Sequence, residues 1–305
     1  MNDSKQLTGV LPIVHTPFTD ADTIDEPSLR RQLDWAFDTG ANGCGTGMVS
    51  ESLRLTTAER TQLANIIPEI VDGRGPVFAS CGAESTAQAI TWAKEAAAAG
   101  NDALMAIPPT LTSLPANQVQ DYFTAIAEAT DLPLIVQDAS AYVGQAIPLE
   151  VHVKLLEKFG PDKILFKPEA APLGPNLSAL RDATNGEARI FEGSGGILLI
   201  DSFRRGIAGT MPGMDLLDGI VEIWRALHAG DEDRAYEVYF PICALTALQM
   251  QAGLDGFLAV EKHLLKKRGL FETTHRRRPY NWEMDEETRA EVDRLYGKLQ
   301  VLLSN

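Results

Sequence analysis

The stretch that decides the fold is Lys163–Glu169, which reads KILFKPE. Its apolar run, Ile164–Phe166, has no polar alternation, which is typical of a strand buried on both faces of a parallel sheet. Lys167 follows the run directly, and Pro168 ends it. Burial favours a neutral lysine amine, which can attack a carbonyl carbon and form a Schiff base. The alternative is a lysine that reaches out of the strand end into solvent.

Similar apolar runs recur along the chain, and the first six begin about 30 residues apart, the length of one strand-plus-helix unit. The predicted strands lie near Gly9–His15, Gly43–Thr46, Val77–Ser80, Ala103–Ile107, Leu134–Gln137, Ile164–Lys167, Arg189–Glu192 and Ile207–Met211. The amphipathic stretches predicted as helices among them are Glu26–Thr39, Thr57–Val71, Ser85–Ala99, Ala116–Ala129, Leu149–Phe159, Leu177–Thr184 and Ile197–Arg205.

This alternation predicts an α/β fold, namely a (β/α)8 TIM barrel with a C-terminal helical extension. An open doubly wound sheet is disfavoured, because no Gly-x-Gly-x-x-Gly turn follows the first strand. Strand patterns stop after Met211. The helices predicted beyond it are Asp215–Leu227, Asp231–Gln251, Leu254–Lys267 and Glu286–Leu303, and Pro241 should kink or split the second. The predicted division is 1–214 for the barrel with the active site and 215–305 for the helical region packed on it.

The charge and composition of the chain narrow the function classes. The net charge of −15 opposes binding to nucleic acid or to an anionic membrane. Two short basic runs, Lys266–Arg268 and Arg276–Arg278, are interpreted as a solvated or interface face rather than an anion site. The three cysteines are too widely spaced for a disulfide framework or a zinc site. With no signal peptide and no run long enough to span a bilayer, the expected location is cytoplasmic.

In a barrel, the residues just after each strand converge on the active site. Among the residues that follow the predicted strands, Lys167 is the one cationic side chain. Backbone N–H groups of the loop Gly47–Glu51 could hold a carboxylate, and Ser50 adds a hydroxyl. Glycines after three of the strands, Gly193 among them, allow close approach of a small ligand. One amine, small polar groups and no metal cluster suit a small oxo acid.

The sequence resembles the dihydrodipicolinate synthase / N-acetylneuraminate lyase superfamily of class I Schiff-base lyases over essentially its whole length. The resemblance is carried by Thr16-Pro17-Phe18, by Gly47-x-x-Ser50-Glu51 and by Lys167 at the end of the sixth strand. It implies that Lys167 forms an iminium with a 2-oxo acid and that no cofactor and no metal is required. It also implies a homotetramer built as a dimer of dimers.

Departures from the family pattern point to one branch. The family's Gly-Thr-Thr-Gly-Glu loop is replaced by Gly47–Glu51, its relay tyrosine by Gln137 and a carboxylate-binding arginine by Tyr142. Dihydrodipicolinate synthase itself is therefore disfavoured. The strand ends at Gln137 and at Phe166-Lys167-x-Glu169 are similar to 2-keto-3-deoxy sugar-acid dehydratases, of which the L-2-keto-3-deoxyarabonate dehydratases are one group.

The predicted function is a Schiff-base lyase that dehydrates a 2-keto-3-deoxy sugar acid or related 2-oxo acid. The alternatives are a pyruvate-dependent aldolase, a condensing enzyme of the dihydrodipicolinate-synthase type, and a non-catalytic barrel that binds 2-oxo acids. The predicted catalytic residues are Lys167, Gln137, which would orient substrate or water, and Glu169, a candidate acid–base group or charge partner. The other acid–base candidates are Ser50, Glu51, Tyr142 and a water held by Gln137. The predicted substrate-binding residues are Val49, Ser50, Glu51, Gly193, Ser194 and Met211.

Overall fold

The computed structural model describes residues 6–304, in which strands and helices alternate up to residue 210 and helices follow. The strands are β1 Gly9–Val10, β2 Cys44–Gly45, β3 Val77–Ser80, β4 Ala103–Ala106, β5 Leu134–Asp138, β6 Ile164–Pro168, β7 Phe191–Glu192 and β8 Gly209–Thr210. The helices are α1 Glu26–Thr39, α2 Thr57–Val71, α3 Thr86–Ala98, α4 Ala116–Ala129, α5 Leu149–Phe159, α6 Leu173–Ala183, α7 Leu199–Arg204, α8 Leu217–Ala229, α9 Glu232–Gln249, α10 Gly253–Lys267 and α11 Glu286–Leu303.

Each predicted strand is confirmed, although several are shorter than predicted. The largest helix difference is α6, which begins at Leu173 rather than Leu177. Proline is tolerated in a first helical turn, where its missing N–H has no intrahelical partner, so Pro175 does not delay the helix. Pro241 was predicted to kink or split its helix; it does not split α9, which continues through it, and the kink stays a prediction. Packing of α9 against α8, α10 and α11 compensates for the lost backbone hydrogen bond.

The chain forms two compact units, each assembled from separate segments. The first comprises Met1–Thr8, Arg60–Gly193 and Asp201–Thr210, and the second comprises Gly9–Glu59, Ser194–Ile200 and Met211–Asn305. These boundaries cut across the predicted division into 1–214 and 215–305, which therefore stays a prediction. Residues 1–5 and 305 of those ranges lie outside the described residues.

The first unit contains a parallel sheet in which β3, β4, β5 and β6 pair in chain order. Every residue of β4, β5 and β6 is buried. Unbroken apolar runs such as Ile164–Phe166 reflect this burial on both faces. β7 pairs in parallel with β8, placing Glu192 opposite Thr210. An isolated parallel bridge joins Phe166 to Ile190.

The core of the first unit fills the space between these strands and α3–α6. On α3 the packing residues are the alanines Ala89, Ala93 and Ala96, which are at most 2% exposed. On α4, Phe123 and Ile126 are fully buried. Small side chains on one helix and large ones on its neighbour allow close packing without voids.

In the second unit the four helices α8 to α11 pack on one another. One stretch, Glu232–Lys267, contains an 18-residue window with a mean hydropathy of 1.2, which is long and apolar enough to cross a membrane. Half of that window is buried inside the protein, and a 3-10 turn, Met250–Ala252, separates α9 from α10. A core helix of a globular protein has the same composition.

Candidate active site

Gln137 and Lys167 lie side by side at the carboxyl ends of β5 and β6. They occupy opposite positions in the parallel register of the two strands. Lys167 is only 4% exposed and Gln137 only 2%. The alternative in which Lys167 reaches out into solvent is therefore wrong, and the amine stays at the end of the buried strand.

Glu169 connects these two side chains. Its Oε1 lies 3.3 Å from Lys167 Nζ, and its Oε2 accepts a hydrogen bond of 2.5 Å from Gln137 Nε2. Burial raises the pKa of the Glu169 carboxyl, and the charge of Glu192 raises it too. These effects outweigh the charge of Lys167 and the Gln137 hydrogen bond, which lower it. A carboxyl with a raised pKa is suited to exchanging protons near neutral pH. The three side chains thus place an amine beside an acid–base group.

Glu192 and Gly193 bring the end of β7 to the same place. Glu192 is fully buried and accepts a hydrogen bond of 2.6 Å from the hydroxyl of Thr210, at the end of β8. The backbone of Gly193 is so close that an added Cβ would lie 2.8 Å from Glu169 Cδ and less than 3.0 Å from Lys167 Cε. Only glycine leaves room there for the lysine side chain as it is placed.

In the second unit, the loop Gly47–Glu51 contains one turn of 3-10 helix. The Ser50 hydroxyl accepts a hydrogen bond of 3.0 Å from the Gly47 N–H and donates one to the carbonyl of Val14. The Thr16 hydroxyl donates to the Ser50 carbonyl at 2.7 Å. The Ser50 side chain therefore closes the loop on itself. Its substrate-binding role stays a prediction, and the loop backbone is the group available for it.

Two backbone N–H groups of this loop point to where a carboxylate could bind. The N–H of Ser50 is used by the Gly47 carbonyl and that of Glu51 by the Met48 carbonyl. Within residues 6–304, the N–H groups of Met48 and Val49 have no acceptor. Adjacent backbone N–H groups without a partner are a common site for an anionic oxygen.

The Glu51 carboxylate is held by two groups from the C-terminal helical region. The Lys262 ammonium on α10 donates to Glu51 Oε1 and to the His275 carbonyl at 2.8 Å, while the Arg277 N–H donates to Oε2 at 2.7 Å. Glu51 is 1% exposed and Lys262 fully buried. Since these partners occupy both oxygens, the Glu51 side chain anchors the loop, and its role as a direct substrate ligand stays a prediction.

A second buried cluster lies one residue away on α10. His15 Nε2 is 2.7 Å from Glu261 Oε2, and Gln249 donates to Asp215 Oδ2 at 2.7 Å. Burial raises the pKa of Glu261 to about 8 and that of Asp215 to about 7. Burial also lowers the pKa of His15 to about 4. Low-dielectric surroundings thus favour the uncharged forms of all three groups.

The remaining predicted residues are also in the second unit. The Ser194 hydroxyl accepts a hydrogen bond of 3.0 Å from the Leu198 N–H, and Met211 is 1% exposed. The first unit brings together the predicted residues Lys167, Gln137, Glu169 and Gly193. The second unit contains the predicted residues Val49, Ser50, Glu51, Ser194 and Met211.

Sequence reasoning missed Glu192, Glu261 and Lys262. A signal was present in each case. Glu192 is the last residue of an apolar strand, as Lys167 nearly is. Glu261 and Lys262 fall three and four residues after Leu258, on the buried side of α10. Charged residues at core positions of a helix indicate buried pairs.

Comparison with known proteins places these features in a family. The profile of the Dihydrodipicolinate synthetase family matches residues 6–298. An L-2-keto-3-deoxyarabonate dehydratase of Azospirillum brasilense is 28% identical over 302 residues, which cover 97% of this chain and 95% of that protein. A protein named Probable 2-dehydro-3-deoxy-D-pentonate aldolase, of Escherichia coli, is 32% identical over 154 residues, or 50% of each chain.

A solved structure shows the fold. The 4-hydroxy-tetrahydrodipicolinate synthase of Methylacidiphilum fumariolicum superposes with a TM-score of 0.88 at 23% identity, covering 98% of each chain. This likeness confirms the predicted (β/α)8 barrel with a C-terminal helical extension. Members of the family are class I lyases that act on small 2-oxo acids such as pyruvate. With the family profile spanning nearly the whole sequence, the chain belongs to the dihydrodipicolinate synthetase family.

Proposed function

We propose that this protein is a dehydratase of 2-keto-3-deoxy sugar acids that works through a Schiff base on Lys167. The observation that carries the proposal is the buried contact of the Lys167 amine with Glu169, which Gln137 completes. The full-length similarity to a dehydratase of such an acid agrees with it. Gln137 stands where the superfamily's relay tyrosine is expected, and an amide cannot relay a proton as a phenol does. The acid–base task therefore falls to another group.

The first step is attack of the neutral Lys167 amine on the C2 carbonyl of the substrate. Loss of one water gives an iminium, which withdraws electrons and makes the C3 protons acidic. A base removes one C3 proton, and the hydroxyl on C4 leaves with a proton as a second water. Hydrolysis of the iminium consumes one water, restores the C2 carbonyl and frees Lys167. The net change is loss of one water from the sugar acid, and for a pentonate tautomerisation of the C3–C4 double bond with the C5 hydroxyl then gives the oxo-semialdehyde.

Glu169 is the proposed acid–base group. Its carboxyl lies 3.3 Å from the amine, and burial raises its pKa, so it suits both the uptake of the C3 proton and its delivery to the departing hydroxyl. The proposed role of Gln137 is to hold Glu169 in place through their hydrogen bond and to orient substrate or water. Gly193 would keep the lysine side chain unobstructed.

Within the second unit, the Gly47–Glu51 loop is proposed as a site for a carboxylate, bound by the N–H groups of Met48 and Val49, while Ser50 and Glu51 hold the loop in shape. Ser194 and Met211 stay predicted substrate-binding residues. The predicted homotetramer, a dimer of dimers, and the predicted cytoplasmic location stay predictions, as does the absence of a cofactor.

A pyruvate-dependent aldolase is the second candidate, favoured by the similarity to the E. coli protein named as an aldolase. The same iminium would serve it. Removal of the proton from the C4 hydroxyl, in place of the C3 proton, would break the C3–C4 bond and release pyruvate and an aldehyde. The two reactions therefore differ in which atom the acid–base group faces.

Borohydride trapping tests the shared first step. Incubation with pyruvate or a 2-keto-3-deoxypentonate, followed by reduction, should add the reduced ligand's mass to a peptide containing Lys167. Lys167→Ala should abolish both the adduct and turnover, and Lys163→Ala, four residues earlier, serves as the matched control that retains both. If no 2-oxo acid gives an adduct, the Schiff-base proposal fails and the non-catalytic barrel becomes the better description. Product analysis then separates an oxo-semialdehyde, the dehydration product, from pyruvate, the cleavage product.

A further inference from the structure

A cationic pocket in the second unit has no part in the proposed chemistry. Its volume is about 860 Å³, within the range of about 300–1,000 Å³ typical of small-molecule sites. None of the predicted site residues lines it. Its charged lining residues are Asp20, His263, Lys266, Lys267, Glu272, His275, Arg276, Arg278, Glu283 and Arg289.

Some of these charges are neutralised by partners. Lys267 lies 3.2 Å from Asp293, and Glu272 lies 2.7 Å from Arg31, which is outside the pocket lining. The histidines also have carboxylate partners, since His263 contacts Asp293 and His275 contacts Asp22. After these pairings, four cations remain against two carboxylates. They are Lys266, Arg276, Arg278 and Arg289, against Asp20 and Glu283.

Three of the four cations are exposed and unpaired. Among residues 6–304, Lys266, Arg278 and Arg289 have no carboxylate within 4.0 Å. Arg289 makes one weak backbone contact, to the Met284 carbonyl at 3.4 Å. Like charges repel, so their convergence on one concavity costs free energy unless an anion is bound.

Arg276 is the fixed member of the group. It is 8% exposed, donates to the Trp282 carbonyl at 3.0 Å and lies 4.0 Å over the Tyr280 ring. Its nearest carboxylate in the pocket, Glu283, is at 4.0 Å. Neutral carbonyls and a ring orient the guanidinium, and its ion pair with Glu283, at 4.0 Å, is long. A pre-oriented guanidinium is well suited to bind phosphate or carboxylate oxygens.

We infer that this pocket binds a small multivalent anion, of the phosphorylated or polycarboxylate class. The inference replaces the sequence interpretation of the two basic runs as a solvated or interface face. A concave site concentrates the field of its charges, which lets it attract anions although the whole chain carries a charge of −15. The volume admits a ligand with two or more anionic groups, one for Arg276 and others for the exposed cations.

Calorimetric titration of the full chain tests this, with pyrophosphate and citrate as separate probes. We expect saturable binding of one or both at about 0.15 M ionic strength, where exposed charges are screened beyond about 8 Å. Pyrophosphate alone would assign the phosphorylated class, and citrate alone the polycarboxylate class. The triple variant Lys266→Gln, Arg278→Gln, Arg289→Gln should weaken binding by at least about tenfold, since charge-assisted hydrogen bonds contribute strongly to anion recognition.

Lys298→Gln is the matched control, because it removes one exposed charge of α11 outside the pocket lining and should leave binding unchanged. Trapping of pyruvate on Lys167 in the triple variant checks that the fold is intact and is independent of the pocket. The inference is overturned if neither probe binds saturably to the unaltered protein. Equal binding by the triple variant, or a tenfold loss in Lys298→Gln, would also overturn it.

Discussion

Replacing Gly193 with alanine should slow Schiff-base formation while leaving the fold in place. Its φ is not in the left-handed region, so alanine can adopt the backbone conformation. The added Cβ, however, would lie 2.8 Å from Glu169 Cδ and less than 3.0 Å from Lys167 Cε. Carbon atoms normally approach to about 3.5–4.0 Å, so the lysine terminus must move by roughly 1 Å. A displacement of that size costs on the order of 10²-fold in rate.

The assay is the rate of pyruvate trapping on Lys167 together with the free energy of unfolding. Overpacking in a core costs about 1–3 kcal/mol, and movement of a flexible side-chain end should keep Gly193→Ala at the low end. Gly297→Ala is the matched control, because no atom lies within 4 Å of its added Cβ. That variant should trap pyruvate normally and gain up to about 1 kcal/mol of helix stability. Trapping by Gly193→Ala at the unaltered rate would refute the packing argument; failure of the unaltered protein to trap would refute the proposed function instead.

Two further predictions concern buried charges of the second unit. Lys262→Met should lower the free energy of unfolding by about 3–5 kcal/mol, because it leaves the Glu51 carboxylate buried without its ammonium partner. Lys158→Met, which breaks the Lys158–Glu128 pair of similar type at 47% and 55% exposure, should cost at most about 1 kcal/mol; equal costs in urea unfolding would contradict this. Folded Glu261 has a pKa of about 8, against 4.5 for the free group. Between these pH values the folded protein keeps a proton that the unfolded chain loses. The contribution of Glu261 to stability therefore falls as pH rises through this range. Glu261→Gln should therefore make the unfolding temperature decline less steeply between pH 6.5 and 8. This range lies above the titration of His15, whose effect on stability has the opposite sign. An unchanged slope would contradict the prediction.

Local patterns were enough to predict the fold. The apolar runs of β3 to β6 and the helix boundaries at Thr39, Val71 and Phe159 follow from periodicity, caps and glycines, which act over a few residues. Lys167 was found in the same way, as the charged end of an apolar strand. Whether Pro241 would split its helix was not decided locally, because packing of α9 against neighbouring helices supports a continuous helix through the proline.

The partners of the charged side chains could not be predicted in this way. The Lys262–Glu51 pair joins residues 211 positions apart, and the pocket around Arg276 gathers residues from Asp20 to Arg289. Electrostatic interaction depends on distance in space and on burial, neither of which a single sequence encodes locally. The two basic runs show the same limit, because Arg276 is 8% exposed while its neighbour in the sequence, Arg278, is exposed.

The sequence by itself determined the barrel, the position of Lys167 and the family, because each depends on residue type at a fixed strand or helix position. The tertiary structure alone decided that Glu169 joins Lys167 to Gln137, and that Ser50 and Glu51 use their side chains to hold the loop. Side-chain roles of this kind depend on which hydrogen-bond partners lie within about 3 Å after folding.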